Sequence, residues 1–326
     1  MLASIASDVH DQDGEPSAVI SYFQAIVIGL LQGVTELFPV SSLGHSVLIP
    51  ALLGWHEVVD SESAQESFYL AFLVGLHVAT ALALVWFLRD QWARIVAGLA
   101  RSIRTRDVQT ADERLGWLLV VATVPAGLVG IAFEHALRSL FAKPLAAGVF
   151  LTCNGAILLA GELLRRRSLA MAAGPARSGP AGATAVAFGG ATVRTVARTR
   201  DLASLGFGEA LLIGASQVLA FFAGISRSGA TMVAGLADGL DHEDAARFAF
   251  LLATPIILAA GVYKLPDLLG SNGDGVRGQI LVGSVVAGFA AYLSVRFLTR
   301  YFRTRTLTPF GIYCLLVGTV CIIRFA

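Results

Sequence analysis

Charge is scarce in this chain. Asp, Glu, Lys and Arg make up 14% of its 326 residues, while 56% are apolar and the mean hydropathy is +0.71. A soluble domain carries roughly 25% charged residues, so long stretches here cannot face water. The net charge of only +1 excludes binding of nucleic acid or another polyanion through bulk electrostatics. Cysteine is scarce as well. Cys153, Cys314 and Cys321 all lie in apolar stretches, and an odd count without ligand-like spacing makes neither a disulfide framework nor a zinc site. Lys and Arg are missing from Met1 to Pro16, which instead holds Asp8, Asp11, Asp13 and Glu15. That is the opposite of the basic start of a signal peptide, and residues 1–18 read as a disordered acidic tail.

What is present is a series of apolar segments. Phe68–Leu88, Leu115–Phe133, Leu145–Leu163, Phe248–Tyr263, Gln279–Val295 and Thr306–Ile323 are each close to the length that crosses a bilayer. The fourth is short and is expected to rely on Arg247 and Lys264 snorkelling outward. Two further apolar regions, Val19–Trp55 and Phe207–Leu240, are interrupted at Pro39–His45 and at Ala223–Gly229. Each reads as two half-length helices around a polar turn, and irregular backbone at membrane depth is tolerated only inside protein or beside a wet cavity. Segments 89–114, 164–206 and 299–308 carry six, seven and three basic residues. Segments 56–67, 134–144 and 264–278 carry none, two and two, so the first group is expected on the cytoplasmic side.

The two turns align. Gly29, Gln32, Ser41 and Gly44 match Gly214, Gln217, Ser226 and Gly229 at one constant offset, and each set opens a unit of one hairpin and three spans. Because three is odd, the second unit inserts upside down relative to the first, with the broken helices meeting near the midplane. The expected fold is an all-α polytopic membrane protein of about six transmembrane helices plus two re-entrant helical hairpins in an inverted repeat. Residues 19–326 form a single membrane domain. Repeat one spans 19–163, a flexible cytoplasmic linker without chemistry spans 164–206, and repeat two spans 207–326.

Ionisable groups inside such segments point to function. Glu36 in the first hairpin is a candidate general base or holder of a divalent cation. Arg227, between Ser226 and Ser228 at the start of a half-helix, suits phosphate oxygens; it could equally pair with Glu36, and the two readings are compatible. Ser41 is either a helix cap or a functional hydroxyl. Ser42 with His45 offers a nucleophile and an acid/base. His77, mid-span, is expected to be a packing histidine, with lining of the cavity as the lesser alternative, and His242 is read as a loop residue without signal.

The run Gln32-Gly33-Val34-Thr35-Glu36-Leu37-Phe38-Pro39-Val40-Ser41-Ser42-Leu43-Gly44-His45 and the run Gly224-Ile225-Ser226-Arg227-Ser228-Gly229-Ala230-Thr231 resemble the undecaprenyl-diphosphate phosphatase family of the bacitracin-resistance type. The resemblance extends from about Tyr22 to Arg324. It implies hydrolysis of a polyprenyl diphosphate lipid within the bilayer, supported by Mg2+ or Ca2+, at a site open to the extracytoplasmic face. It further implies that Glu36, Ser42, His45 and Arg227 are catalytic, Ser42 being the nucleophile, and that Ser41, Ser226, Ser228 and Thr231 surround the diphosphate. Two departures stand out. Many members carry Glu where this chain has Gln32, which leaves Glu36 alone to hold the cation, and the usual Pro-Gly of the second turn is here Ala223-Gly224. A phosphoserine intermediate and direct attack by water both fit these residues. A lipid-phosphate flippase or transporter is the alternative, because broken helices in an inverted repeat also build transporters.

Overall fold

The computed structural model describes residues 20–55, 68–141, 143–173, 200, 202–263 and 276–326. Among these residues the regular structure is helical, apart from one isolated bridge between Arg200 and Leu240. The α-helices are α1 (Tyr22–Thr35), α2 (Ser42–Leu53), α3 (Phe68–Phe87), α4 (Arg89–Thr105), α5 (Ala111–Phe141) and α6 (Pro144–Ala173). They continue with α7 (Phe207–Ser216), α8 (Arg227–Ala237), α9 (His242–Tyr263), α10 (Arg277–Tyr301) and α11 (Thr308–Phe325). Helices α5, α6, α9, α10 and α11 are long and apolar enough to cross a membrane, and the α3–α4 pair, bent by 87°, makes a sixth where the two count as one span. The chain is an all-α, multi-pass membrane protein. The acidic tail expected at residues 1–18 lies outside the described residues.

The expected spans map onto α3, α5, α6, α9, α10 and α11, and three details differ. Helix α9 is not short. It begins at His242 because the Asp241 carboxylate caps it, accepting from the Asp244 N–H at 2.7 Å. Arg247 is exposed, and its Nε donates to Gln91 Oε1 at 3.1 Å. Lys264 lies outside the described residues. Second, segment 89–114 is not simply a basic loop. Gln91, Ile95, Gly98 and Ser102 are buried at helical spacing in α4, which packs on α5. Trp117 Nε1 donates to Ser102 Oγ at 3.0 Å, and Arg101 pairs with Glu113. Third, the linker expected over 164–206 is ordered at both ends. Its first residues continue α6 to Ala173, while residues 174–199 and 201 lie outside the described part.

Both ends of that connection are tied down. Arg200 donates to the two Glu209 oxygens at 2.6 and 2.9 Å and to the Ser204 carbonyl at 3.0 Å. At the other end Arg165 reaches His242 Nδ1 at 2.6 Å, and His242 Nε2 meets buried Glu162 Oε1 at 2.5 Å. A guanidinium can only donate, so the ring accepts at Nδ1 and donates at Nε2. Glu162 also accepts the Leu307 N–H at 2.8 Å, just before α11. His242 is therefore an internal strut between α6, α9 and α11, not a loop residue without signal.

The two halves of the chain pack by exchange. Half-helix α1 of the first lies on α10 of the second, and half-helix α7 of the second lies on α5 of the first. Without lipid-water contrast to drive it, such packing depends on close backbone approach at small residues. Gly29 and Gly214, matched by the repeat offset, provide it in both places. A Cβ on Gly29 would sit 2.5 Å from the Gly283 carbonyl oxygen, and one on Gly214 would collide with the Ala122 backbone. Gly214→Val is accordingly expected to cost about 1–3 kcal/mol or more through overpacking. A lowered thermal midpoint of the detergent-purified protein checks it, and an unchanged midpoint contradicts the packing.

Candidate active site

The polar turns are shorter than the sequence suggests, because their motif residues already belong to helices. Ser41 Oγ accepts from the Gly44 N–H at 3.2 Å and starts α2; Ser226 Oγ accepts from the Gly229 N–H at 3.1 Å and starts α8. The repeat pairs Ser41/Ser226 and Gly44/Gly229 are thus two copies of one helix cap. Ser42 and Arg227 occupy equivalent first helical positions, where free N–H groups and the positive dipole end favour an anion.

The caps also join each other. Gly224 N–H donates to Ser41 Oγ at 3.1 Å. Gly224 has φ +118°, open to glycine, and a Cβ there would lie 2.6 Å from Leu151 N on α6. Ser41 itself is held at φ 71°, a conformation unusual for a residue with a side chain. Asn154, fully buried in the middle of α6, spans both turns: Nδ2 donates to the Pro39 carbonyl at 3.0 Å and Oδ1 accepts the Ser226 N–H at 3.1 Å. Its sequence signal was available, since a lone amide in an apolar span is costly unless bonded.

Between the hairpins lies a cavity of about 370 Å3 lined by Glu36, Ser41, Ser42, Ser226, Arg227 and Gln217, with Leu73, Val74, Phe221, Ile256 and Ile257 forming apolar walls. Glu36 is its centre. Oε1 accepts from Arg227 Nη2 at 2.5 Å; Oε2 accepts from Ser42 Oγ at 2.5 Å and Gln32 Nε2 at 3.0 Å, with His77 Nε2 at 3.3 Å. Arg227 Nη1 is buried and finds no partner among the described residues. His77 thus lines the cavity, the lesser of the two readings its place in the sequence offered.

Some expected site residues are not gathered there. His45 Nδ1 contacts the Ser41 carbonyl at 2.7 Å, Nε2 contacts Tyr313 Oη at 2.9 Å, and the ring stacks on Tyr313; it does not line the cavity. Ser228 Oγ reaches the Phe38 carbonyl at 3.3 Å and Ser226 Oγ at 3.0 Å, and Thr231 Oγ1 donates back to the Arg227 carbonyl at 2.7 Å. These three brace the turns.

The arrangement does not fit a cation held by Glu36. A carboxylate offers about four lone-pair directions, and here Arg227, Ser42, Gln32 and His77 crowd both oxygens. Among the described residues no group of three or more His, Cys, Asp and Glu is placed to hold a metal ion. Where a second carboxylate would serve, Gln32 presents an N–H. Titrating Mg2+ or Ca2+ into the substrate-free protein by calorimetry is expected to reveal no binding that Glu36→Gln abolishes; Glu36-dependent binding would contradict this. Asn154→Leu strands two buried backbone groups worth about 1–3 kcal/mol each. It is expected to lower the unfolding midpoint and activity together, and an unchanged midpoint would refute the bridge.

Residues 25–320 match the family model described as bacitracin resistance protein BacA. The chain is similar to proteins named undecaprenyl-diphosphatase. It is 56% identical to one from Frankia alni over 94% of this chain and 98% of that protein. It is 54% identical to one from Mycolicibacterium paratuberculosis over 95% and 99%, and 42% identical to one from Chromobacterium violaceum over 91% and 96%. The chain belongs to the bacitracin resistance protein BacA family.

Proposed function

We propose that this protein is an integral-membrane phosphatase that hydrolyses undecaprenyl diphosphate to undecaprenyl phosphate and phosphate, recycling the lipid carrier for cell-wall synthesis and conferring resistance to bacitracin. The observation that carries the reading is the Ser42–Glu36–Arg227 cluster at a cavity with apolar walls, together with the relatives named for that activity. The apolar walls suit the first isoprene units, while the rest of the tail stays in the bilayer. The diphosphate faces Arg227 and the first turns of α2 and α8, and phosphoryl transfer needs mainly such positioning and charge stabilisation.

Ser42 is the nucleophile supported best, since its Oγ already donates to Glu36. Its oxygen bonds to the terminal phosphorus as the proton passes to Glu36. The bond from that phosphorus to the bridging oxygen breaks, and undecaprenyl phosphate leaves with that oxygen and the Glu36 proton. Water then cleaves the phosphoserine: its hydroxyl remains on phosphorus and its other proton restores Ser42. His45 takes no proton in this scheme; through the Ser41 carbonyl it holds the strained turn that aims Ser42. The bias of basic residues supports a cytoplasmic linker side, and on this reading the membrane is the bacterial inner (plasma) membrane with the site opening to the extracytoplasmic side, as the family resemblance implies.

Phosphate release from undecaprenyl diphosphate in detergent tests the reading directly, because transport needs a sealed membrane and hydrolysis does not. Wild type is expected to turn over and Ser42→Ala to fall to background, with labelled phosphate trapped on Ser42 in the wild type. Arg227→Lys, which loses the forked guanidinium, is expected to lose about 100-fold in kcat. An inactive wild type would sink the enzyme assignment, and turnover without a labelled enzyme would transfer the attack to water.

A further inference from the structure

Glu36 and Arg227 meet in an unusual way for such a pair. A guanidinium and a carboxylate tend to close into a fork of two parallel hydrogen bonds. Here only one is made among the described residues, from Nη2 to Oε1, while Nη1 has no partner among them and Oε2 is given to Ser42. Something must keep the second half of the fork open. Two groups hold Oε2 from the other side: Gln32, from α1 itself, and His77, from α3 across the cavity.

His77 is well placed for this. Its Nδ1 lies 2.8 Å from the Leu73 carbonyl one turn back, and a carbonyl only accepts, so Nδ1 carries a proton and the ring plane is set by its own helix. Nε2 is thereby aimed at Glu36 Oε2 at 3.3 Å, and since a carboxylate only accepts, Nε2 carries a proton too and the ring holds Oε2 as an imidazolium. The neighbouring wall is Leu73 and Val74, so an aliphatic residue would meet any packing need at this position.

We propose that His77 is a positioning residue for hydrolysis: it holds Glu36 Oε2 on Ser42 and so prevents Glu36 and Arg227 from closing into a two-bond pair. Closure would withdraw the base from Ser42 and the free Nη1 from the incoming phosphate in one movement. The proposal rests on the phosphatase reading above, with Ser42 and Arg227 as its working groups.

A double-mutant cycle between His77 and Arg227, measured as phosphate release in detergent, tests it. His77→Ala in the wild-type background is expected to lose about 100-fold in kcat, the scale of a misplaced reacting group. His77→Gln, whose amide N–H can still reach Oε2, is expected to recover most of that loss. In the Arg227→Lys background, where no fork can close, His77→Ala is expected to cost far less. Equal losses in both backgrounds would mark a merely structural role and overturn the proposal. So would a His77→Gln as slow as His77→Ala, because the imidazole itself would then be required, or a His77→Ala as fast as wild type. An inactive wild type is a distinct result, which overturns the phosphatase reading and this proposal with it.

Discussion

One buried amide decides whether the two hairpins form a site. Asn154 gives its N–H to the turn before α2 and its oxygen to the turn before α8, so a single side chain sets the spacing of two helix N-termini from different repeats. The hydrogen bond from Gly224 to Ser41 fixes the same spacing from the front. Inside the protein each of these backbone groups would cost about 1–3 kcal/mol if left unpaired. The polar turns are thus satisfied by each other and by α6, and Ser42 and Arg227 inherit their mutual position from that requirement.

On this frame the charges balance locally. Glu36 and Arg227 arrive from different repeats and neutralise each other at the cavity, which is what lets each be buried at all. The same pairing conflicts with their use, since a carboxylate bound only to a guanidinium serves neither a hydroxyl nor a phosphate. Ser42, Gln32 and His77 on the opposite oxygen resolve the conflict by competing for it. Crowding of this kind also explains why a divalent cation has no natural seat on Glu36.

How much of this was legible in the sequence depended on how local each signal was. The caps were readable, because Ser41 with Gly44 and Ser226 with Gly229 carry their partners three residues away. Glu36 and Arg227 were readable from cost alone, since an ionised group in an apolar segment requires a reason. Asn154 was not singled out and His77 was read first as packing, because a polar residue in mid-span announces that it has a partner without saying where. His77 finds its partner on α1, and Asn154 on two turns of different repeats. Gln32 and Gln217 show the limit of the repeat argument: the first donates to Glu36, while the second donates to the carbonyls of Ala122 and Gly214 at 3.3 and 3.4 Å. Helix α4 was hidden differently, its buried stripe masked by the basic residues around it.

The exchange packing has a consequence for the growing chain. Ribosomes deliver α1 and α2 among the first elements, yet the surface that covers Gly29 belongs to α10, almost the last to be made. Until it arrives, the first hairpin has no neighbour to complete its packing, and Glu36 awaits Arg227. A nascent or truncated chain that lacks α8 therefore holds Glu36 and Ser42 without Arg227, and the cluster at the cavity closes only once the second hairpin has been made.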